Sequence, residues 1–255
     1  MSGLSGKTAL VTGASRGIGR AVAERLAADG ALVAVHYGSN EAAAKETVAA
    51  IEEAGGRAFP LGAVLGEPGD AEALWAAFDE RVGEFSDRPG LDILVNNAGI
   101  LVEGGIADVD EEGYDRVFAV NAKAPFFITK LGLERLRDGG RIVNISSGVT
   151  RVAYPPMTAY AAAKGALNTL TLTLAQALGS RNITVNAVTP GIIETDLAPY
   201  LADPETRKVI AGFSVFDRIG QTGDVSGIVA FLSSAEAGWI TGQIIDATGG
   251  CGIGM

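Results

Sequence analysis

"TALVTGASRGIG", residues 8–19, is the stretch on which the fold turns. An apolar run suited to a strand, 8–12, breaks at Gly13, and an amphipathic run suited to a helix opens at Gly17. The glycines at 13, 17 and 19 make a G-x-x-x-G-x-G spacing, which means little in a chain with 35 glycines among 255 residues. Position carries the information. First strand, tight turn and helix start follow one another, and at a helix start the unpaired N–H groups and the helix dipole attract a pyrophosphate. A P-loop is excluded, because no G-K-[ST] closes the turn. The competing reading is a plain strand-to-helix turn.

Outward from this point, strand-like runs alternate with helix-like runs almost to the end of the chain. The strands are expected at 8–12, 32–37, 58–62, 92–96, 141–146, 183–188 and 243–247, and the helices near 17–29, 40–54, 70–84, 111–136, 157–179 and 224–234. Several strands are apolar on both faces, as strands covered by helices must be. The alternation predicts an α/β fold: a single-domain, doubly wound parallel sheet of about seven strands, Rossmann-like, with helices on both faces. Residues 191–223 break the rhythm. Excursions beyond a strand's C-terminal end lie where open α/β sheets bind ligands, so this one is expected to be a substrate-binding lid within one domain, 1–255.

Composition removes several classes of function. A net charge of −10 disfavours nucleic acid and anionic membrane as partners. One cysteine, Cys251, and one histidine, His36, exclude a disulfide framework and a zinc site of the usual kind, and no metal is expected. No apolar stretch reaches the roughly 20 residues that cross a bilayer, and no signal segment is evident, so a cytoplasmic location is expected.

A dinucleotide fold reads its adenosine ribose at the end of the second strand, where a carboxylate binds the 2′-hydroxyl of NAD and repels the 2′-phosphate of NADP. This strand ends in Tyr37, Gly38, Ser39 and Asn40, without a carboxylate. Arg16 in the glycine loop is either a phosphate contact at that spot or a solvated surface charge. A second stretch, "TAYAAAKGAL" (158–167), carries Tyr160 and Lys164 on one helix face. It is either an exposed helix with a snorkelling lysine or a functional pair.

Six ordered signatures decide between these readings: Thr12-Gly13-x-x-x-Gly17-x-Gly19, Asn96-Asn97-Ala98-Gly99, Asn121, Ser147, Tyr160-x-x-x-Lys164 and Pro190-Gly191. In them the chain resembles the classical short-chain dehydrogenase/reductases along essentially its whole length. Within that family it looks most like 3-oxoacyl-acyl-carrier-protein reductases. The resemblance implies reversible, NADP(H)-dependent reduction of a ketone or 3-oxoacyl carbonyl, with Asn121, Ser147, Tyr160 and Lys164 as catalytic residues. It implies cofactor contacts from Gly13, Ser15, Arg16, Gly17, Ile18, Gly19, Tyr37, Ser39, Asn40, Asn97, Ala98, Gly99, Tyr160, Lys164, Pro190, Gly191, Ile193 and Thr195. One departure stands out: where the family has an Asp after the third strand to hold adenine, this chain has Val64. The resemblance also implies a homotetramer through the helices at 111–136 and 157–179, with the weakly charged tail "ATGGCGIGM" at a second interface.

The chemistry is plausible in size. A free phenol titrates near 10, and lowering it by about three units takes about 4 kcal/mol. A lysine ammonium about 5 Å away, at an effective dielectric near 20, contributes roughly 3 kcal/mol. Ser147, with Ser146 as the alternative, can donate to the carbonyl oxygen. Asn121 in a helix interior is either the family's water-holding residue or a tolerated polar residue. His36 is expected beside the adenosine site, and Cys251 to be structural. Val152, Tyr154, Pro155, Met157, Ile193, Leu197, Tyr200, Phe213 and Phe216 are candidates for the pocket and lid. Arg135, Arg137, Arg141 and Arg181 are expected around the mouth as a small basic patch. Such a patch would suit an acidic carrier protein, but the net charge of −10 and the apolar lid candidates favour a free small-molecule carbonyl substrate, with a carrier-bound 3-oxoacyl group as the alternative. A protein that binds the nucleotide as a sensor without catalysis is the rival reading from another class.

Overall fold

The computed structural model describes residues 3–252, so residues 253–255 of the expected interface tail lie outside the described residues. In chain order the elements are β1 (Thr8–Val11), α1 (Gly17–Ala28), β2 (Leu32–Tyr37), α2 (Glu41–Glu53), β3 (Arg57–Gly62), α3 (Asp70–Phe85) and β4 (Leu91–Asn96). There follow α4 (Glu111–Phe118), α5 (Ala124–Gly132), β5 (Leu136–Ile145), α6 (Thr158–Leu178), β6 (Thr184–Pro190), α7 (Pro204–Ala211), α8 (Thr222–Ser233) and β7 (Ile244–Ala247). The seven strands form one sheet in the order β3-β2-β1-β4-β5-β6-β7, every neighbouring pair parallel. The chain reverses its winding between β1 and β4, and a crevice opens there at the strands' C-terminal ends.

Strand alternation sorts the side chains into two cores. On one face Ala9, Val11, Val33 and Val35 pack against Val22 and Leu26 of α1, Val48 of α2 and Val225 and Val229 of α8. On the other, Leu10, Leu32, Ala34 and Leu94 meet Leu74, Trp75 and Phe78 of α3 and Ile128 of α5. Trp75 is buried and its indole N–H donates to the Ile128 carbonyl at 2.9 Å, which ties α3 to α5. The sheet's C-terminal edge is thereby held on both faces, and the loops leaving it are positioned by rigid neighbours.

Three expectations need correction. The helix expected at 111–136 is two helices, α4 and α5, joined by a π-helical turn over Ala119–Lys123, and it ends at Gly132. The sequence 136–140 belongs instead to β5, which begins at Leu136 opposite Leu91 and passes a register irregularity before regular pairing resumes at Arg141. The excursion 191–223, for which no helix is expected, has helical structure of its own. It contains a short 3-10 turn (Pro199–Ala202) and α7, whose N-terminus is capped by Asp203 accepting from Thr206 N–H at 2.9 Å. Among the described residues no helix is long and apolar enough to cross a membrane.

Candidate active site

The crevice is assembled from the strand ends. At the end of β1, Gly13 has φ +63 and lies against β4: a Cβ there would come within 2.9 Å of Ala98 Cα. A Cβ on Gly19 would stand 2.2 Å from the Gly13 carbonyl oxygen. Both positions therefore require glycine. Thr12 Oγ accepts from the N–H groups of Asn97 and Ala98, and the Asn97 amide donates back to the carbonyls of Thr12 and Gly13 at 2.8 and 3.1 Å. Arg16 precedes α1 in extended conformation, and among the described residues its side chain caps none of the first-turn N–H groups. Those donors, around Gly17, Ile18 and Gly19, are left facing the crevice, and they fit the pyrophosphate of a dinucleotide.

The remaining cofactor candidates rim the same crevice. Tyr37 lies over Gly62 at the end of β3, Ser39 is exposed, and Asn40 accepts from Ala43 N–H at 3.0 Å to cap α2. Arg16 is exposed and stands 4.0 Å from Asp196 across the crevice, while Thr195 packs against Gly17. Pro190 closes β6, Gly191 N–H donates to Ala247, and Ile193 is buried. Ser15 holds Thr47 of α2 through its carbonyl. Val64 is 60% exposed just beyond β3, with no polar side chain to offer at that point.

The proton-handling residues stand at the ends of β5 and α6. Ser146 is buried and donates to the Lys164 carbonyl at 3.3 Å. Ser147 is half-buried in extended backbone, and its side chain is close enough to hydrogen-bond the Tyr160 phenol, which favours it over its neighbour. Tyr160 and Lys164 lie one turn apart on α6, with Lys164 Nζ 5.8 Å from the phenol ring centre. Lys164 is buried and donates to the Ile145 carbonyl at 2.8 Å. Burial pushes its pKa down to about 8, below the ordinary lysine value. The phenol moves the other way from the electrostatic expectation: burial raises it, and the Ser147 side chain only partly offsets this. Desolvation of the anion outweighs the distant ammonium.

Asn121 occupies the π-helical turn. The wider turn frees a carbonyl of the preceding turn, and the Asn121 amide donates to Val117 O and to Ile100 O, both at 2.9 Å. Its Oδ1 is buried without a hydrogen-bond partner among the described residues. A Cβ added at Gly99 would lie 2.6 Å from that oxygen and 3.4 Å from Lys164 Nζ, so the two atoms face a common space. A polar guest such as water suits the orphaned oxygen.

The lid candidates divide. Phe213 and Phe216 line a cavity of about 170 Å³ between the 191–223 excursion and the segment after β7, with Ile192, Ile193 and Ile210, and neither Ser147 nor Tyr160 lines it. Tyr200 is close enough to Tyr154 and Glu103 for them to add to the rise that burial causes in its phenol pKa. Tyr154, Leu197 and Tyr200 are exposed, and Val152 packs under the tail at Gly252. Pro155 and Met157 hold the loop between: Gly104 N–H donates to Pro156 O at 2.7 Å, and Thr158 Oγ donates to Pro155 O at 2.9 Å.

The basic patch is not at the mouth. Arg135, Arg137 and Arg141 sit at the start of β5, and Arg141 pairs in register with Thr184 at the start of β6. Four strand residues, about 13 Å, separate Arg141 from the C-terminal end of β5. Arg135 pairs with Asp79, Arg137 with buried Asp92, and Arg181 with Asp138. Arg141 donates to backbone carbonyls, including Ser234 at 3.1 Å. These side chains stitch the opposite edge of the sheet.

Sequence reasoning missed the role of His36. The ring is buried at the end of β2 and held at both nitrogens: Nδ1 accepts from Gly13 N–H at 3.0 Å, and Nε2 lies 2.9 Å from the Ala63 carbonyl. The first contact requires an unprotonated Nδ1, so Nε2 carries the proton and donates. Among the described residues no group of three or more His, Cys, Asp or Glu side chains is placed to hold a metal ion.

A sequence model described as enoyl-(acyl carrier protein) reductase matches residues 13–252. The chain belongs to the short-chain dehydrogenase/reductase family and is an oxidoreductase. Several similar proteins point more narrowly. The chain shares 51% identity and a TM-score of 0.95 with LugOII, a promiscuous reductase that carries out keto-reduction at C1 in lugdunomycin biosynthesis, over 97% of this chain and 98% of that one. It shares 49% identity and a TM-score of 0.96 with the angucycline C-6 ketoreductase LanV, whose structure holds NADP, over 99% and 98% of the two chains. A versicolorin reductase of Emericella nidulans is 40% identical across 97% of this chain and 96% of its own length.

Burial of His36 lowers its pKa from 6.5 to about 4. The unfolded chain therefore binds the extra proton between these values, so this stabilisation is complete above pH 6.5 and is lost as the pH falls towards 4. The full loss is on the order of 3 kcal/mol. Urea unfolding at pH 7 and pH 5 is expected to show a larger acid loss in the natural protein than in His36→Asn, and equal losses would contradict the assignment.

Proposed function

We propose that this protein is an NADPH-dependent ketoreductase acting on a free aromatic ketone of the fused-ring polyketide kind, with the secondary alcohol as product. The observation that carries the reading is the convergence of Ser147, Tyr160 and buried Lys164 on one opening beside the uncapped start of α1. Relatives that reduce ketones of polycyclic compounds support the substrate class. Tyr154 and Tyr200, exposed and close to one another, suit a flat aromatic partner. The basic side chains being committed to the far edge argues against docking of an acidic carrier protein.

The residues that hold the cofactor are the glycine loop with Gly13, Ser15, Gly17, Ile18 and Gly19, the strand ends at Asn97–Gly99 and Pro190–Gly191, and Ile193 and Thr195. Arg16, Tyr37, Ser39 and Asn40 would receive the phosphate on the adenosine ribose. When bound, NADPH supplies a hydride to the carbonyl carbon. Tyr160 donates its phenolic proton to the carbonyl oxygen, and the raised pKa keeps that proton in place at neutral pH before reaction. Ser147 donates a hydrogen bond to the same oxygen as charge develops on it. The Lys164 ammonium stabilises the phenolate that remains, and Asn121 Oδ1 holds a water through which the proton is replaced. Residues 191–223 act as the lid. Four copies assemble through the α4–α5 and α6 faces, where Phe126 and Leu172 are exposed. A monomer in light scattering at micromolar concentration would contradict that assembly.

The test is NADPH oxidation across fused-ring aromatic ketones, simple ketones and 3-oxoacyl thioesters. The fused-ring compounds are expected to give the highest kcat/KM, and a carrier-protein thioester exceeding them would overturn the substrate assignment. Tyr160→Phe is expected to lower turnover on the order of 10²-fold or more while NADPH still binds; activity within a few-fold of the natural enzyme would remove Tyr160 as the proton donor. Arg16→Ala is expected to narrow the preference for NADPH over NADH on the order of tenfold in kcat/KM. An unchanged preference would place Arg16 outside the phosphate site.

A further inference from the structure

Gly13 is gripped from two sides. Its carbonyl accepts from Asn97 at 3.1 Å on the β4 side, and its N–H donates to His36 Nδ1 at 3.0 Å on the β2 side. The next residue is held by the same histidine, since Ala14 N–H donates to the His36 carbonyl at 2.8 Å. Across the ring, Nε2–H reaches the carbonyl of Ala63 at 2.9 Å, just beyond β3 and next to Val64. One buried imidazole thus joins the glycine loop to the end of β3, the two walls between which the adenosine half of a dinucleotide would lie.

A histidine is well made for this. A neutral ring accepts at one nitrogen and donates at the other, about one ring width apart, and it does so with two rotatable bonds. The Gly13 N–H points at the buried ring, so without Nδ1 it would lose its hydrogen-bond partner. Val64, next to Ala63, offers no polar side chain at that strand end, and a link from the glycine loop to it runs through His36.

We propose that His36 is a positioning residue for cofactor binding: it presets the glycine loop through Gly13 N–H, so that the α1 N–H groups meet the pyrophosphate without first reorganising. The proposal rests on the cofactor reading above. It concerns binding and leaves the proton-handling residues untouched.

Three variants separate the two ring contacts. His36→Asn keeps an acceptor at the position of Nδ1 and gives up Ala63. His36→Gln reaches towards Ala63 and leaves Gly13 N–H unpaired. His36→Phe keeps the volume and gives up both. The Kd of NADPH, measured by fluorescence titration, is expected to stay within about threefold of the natural protein in His36→Asn, and to rise roughly tenfold or more in His36→Gln and His36→Phe. Turnover at saturating NADPH is expected to change less than about twofold in all three. A rise in His36→Asn as large as in His36→Gln would overturn the proposal, because a merely structural ring would make the two alike. Unchanged Kd in both would overturn it too, as would loss of turnover at unchanged Kd. The Asn–Gln comparison decides the matter if His36→Phe does not fold. Absence of NADPH binding by the natural protein would instead be a failure of the cofactor reading.

Discussion

The ammonium of Lys164 is buried in the molecule with the Ile145 carbonyl as its hydrogen-bonded partner. Such a placement is expensive, and it persists because the elements around it are rigid. α6 runs for 21 residues and fixes where the lysine leaves the helix. β5, in the middle of a parallel sheet, fixes the carbonyl that receives it. The π-helical turn brings Asn121 Oδ1 to the same small space beside Gly99. Tyr160, one turn before the lysine, is thereby held at the opening, with Ser147 at the end of the strand that supplies the lysine's partner.

The other half of the crevice is set by close backbone approach rather than by charge. Gly13 and Gly19 allow the β1–α1 turn to press against β4, and Thr12 and Asn97 exchange hydrogen bonds across the seam. These contacts lie at the reversal point of the winding, between β1 and β4, where the two halves of the sheet part. The proposed division of labour follows from this geometry. Helix-start N–H groups receive phosphate on one side, and a desolvated Tyr–Lys pair moves a proton on the other.

Much of this was legible in the sequence because it depends on local pattern. Strands apolar on both faces and glycines at a turn reveal themselves by residue type, and the approximate places of the seven strands, apart from the start of β5, follow from such local patterns. The features that were not legible depend on distant partners. The π-helical turn at Asn121 exists because its amide reaches Ile100, 21 residues away in sequence, and periodicity alone reads the region as one helix. Leu136 joins β5 because it pairs with Leu91, although its local run reads as helical. Arg135, Arg137 and Arg141 look like a basic patch in sequence, yet each is committed to a carboxylate or a carbonyl at the far edge of the sheet. His36 reads as an ordinary strand residue, and its task shows when Gly13 and Ala63 are found on either side of it.

The arrangement of the site depends on a buried Lys164 ammonium, easier to deprotonate than an ordinary lysine, beside Tyr160. Carbon-detected NMR of the protein labelled at lysine Cε, titrated with pH and assigned by comparison with Lys164→Met, measures this. One lysine resonance, absent from the variant, is expected to titrate near 8, because burial disfavours the charged form of Lys164. A Lys164 resonance titrating at the ordinary lysine value of about 10.4 would contradict it.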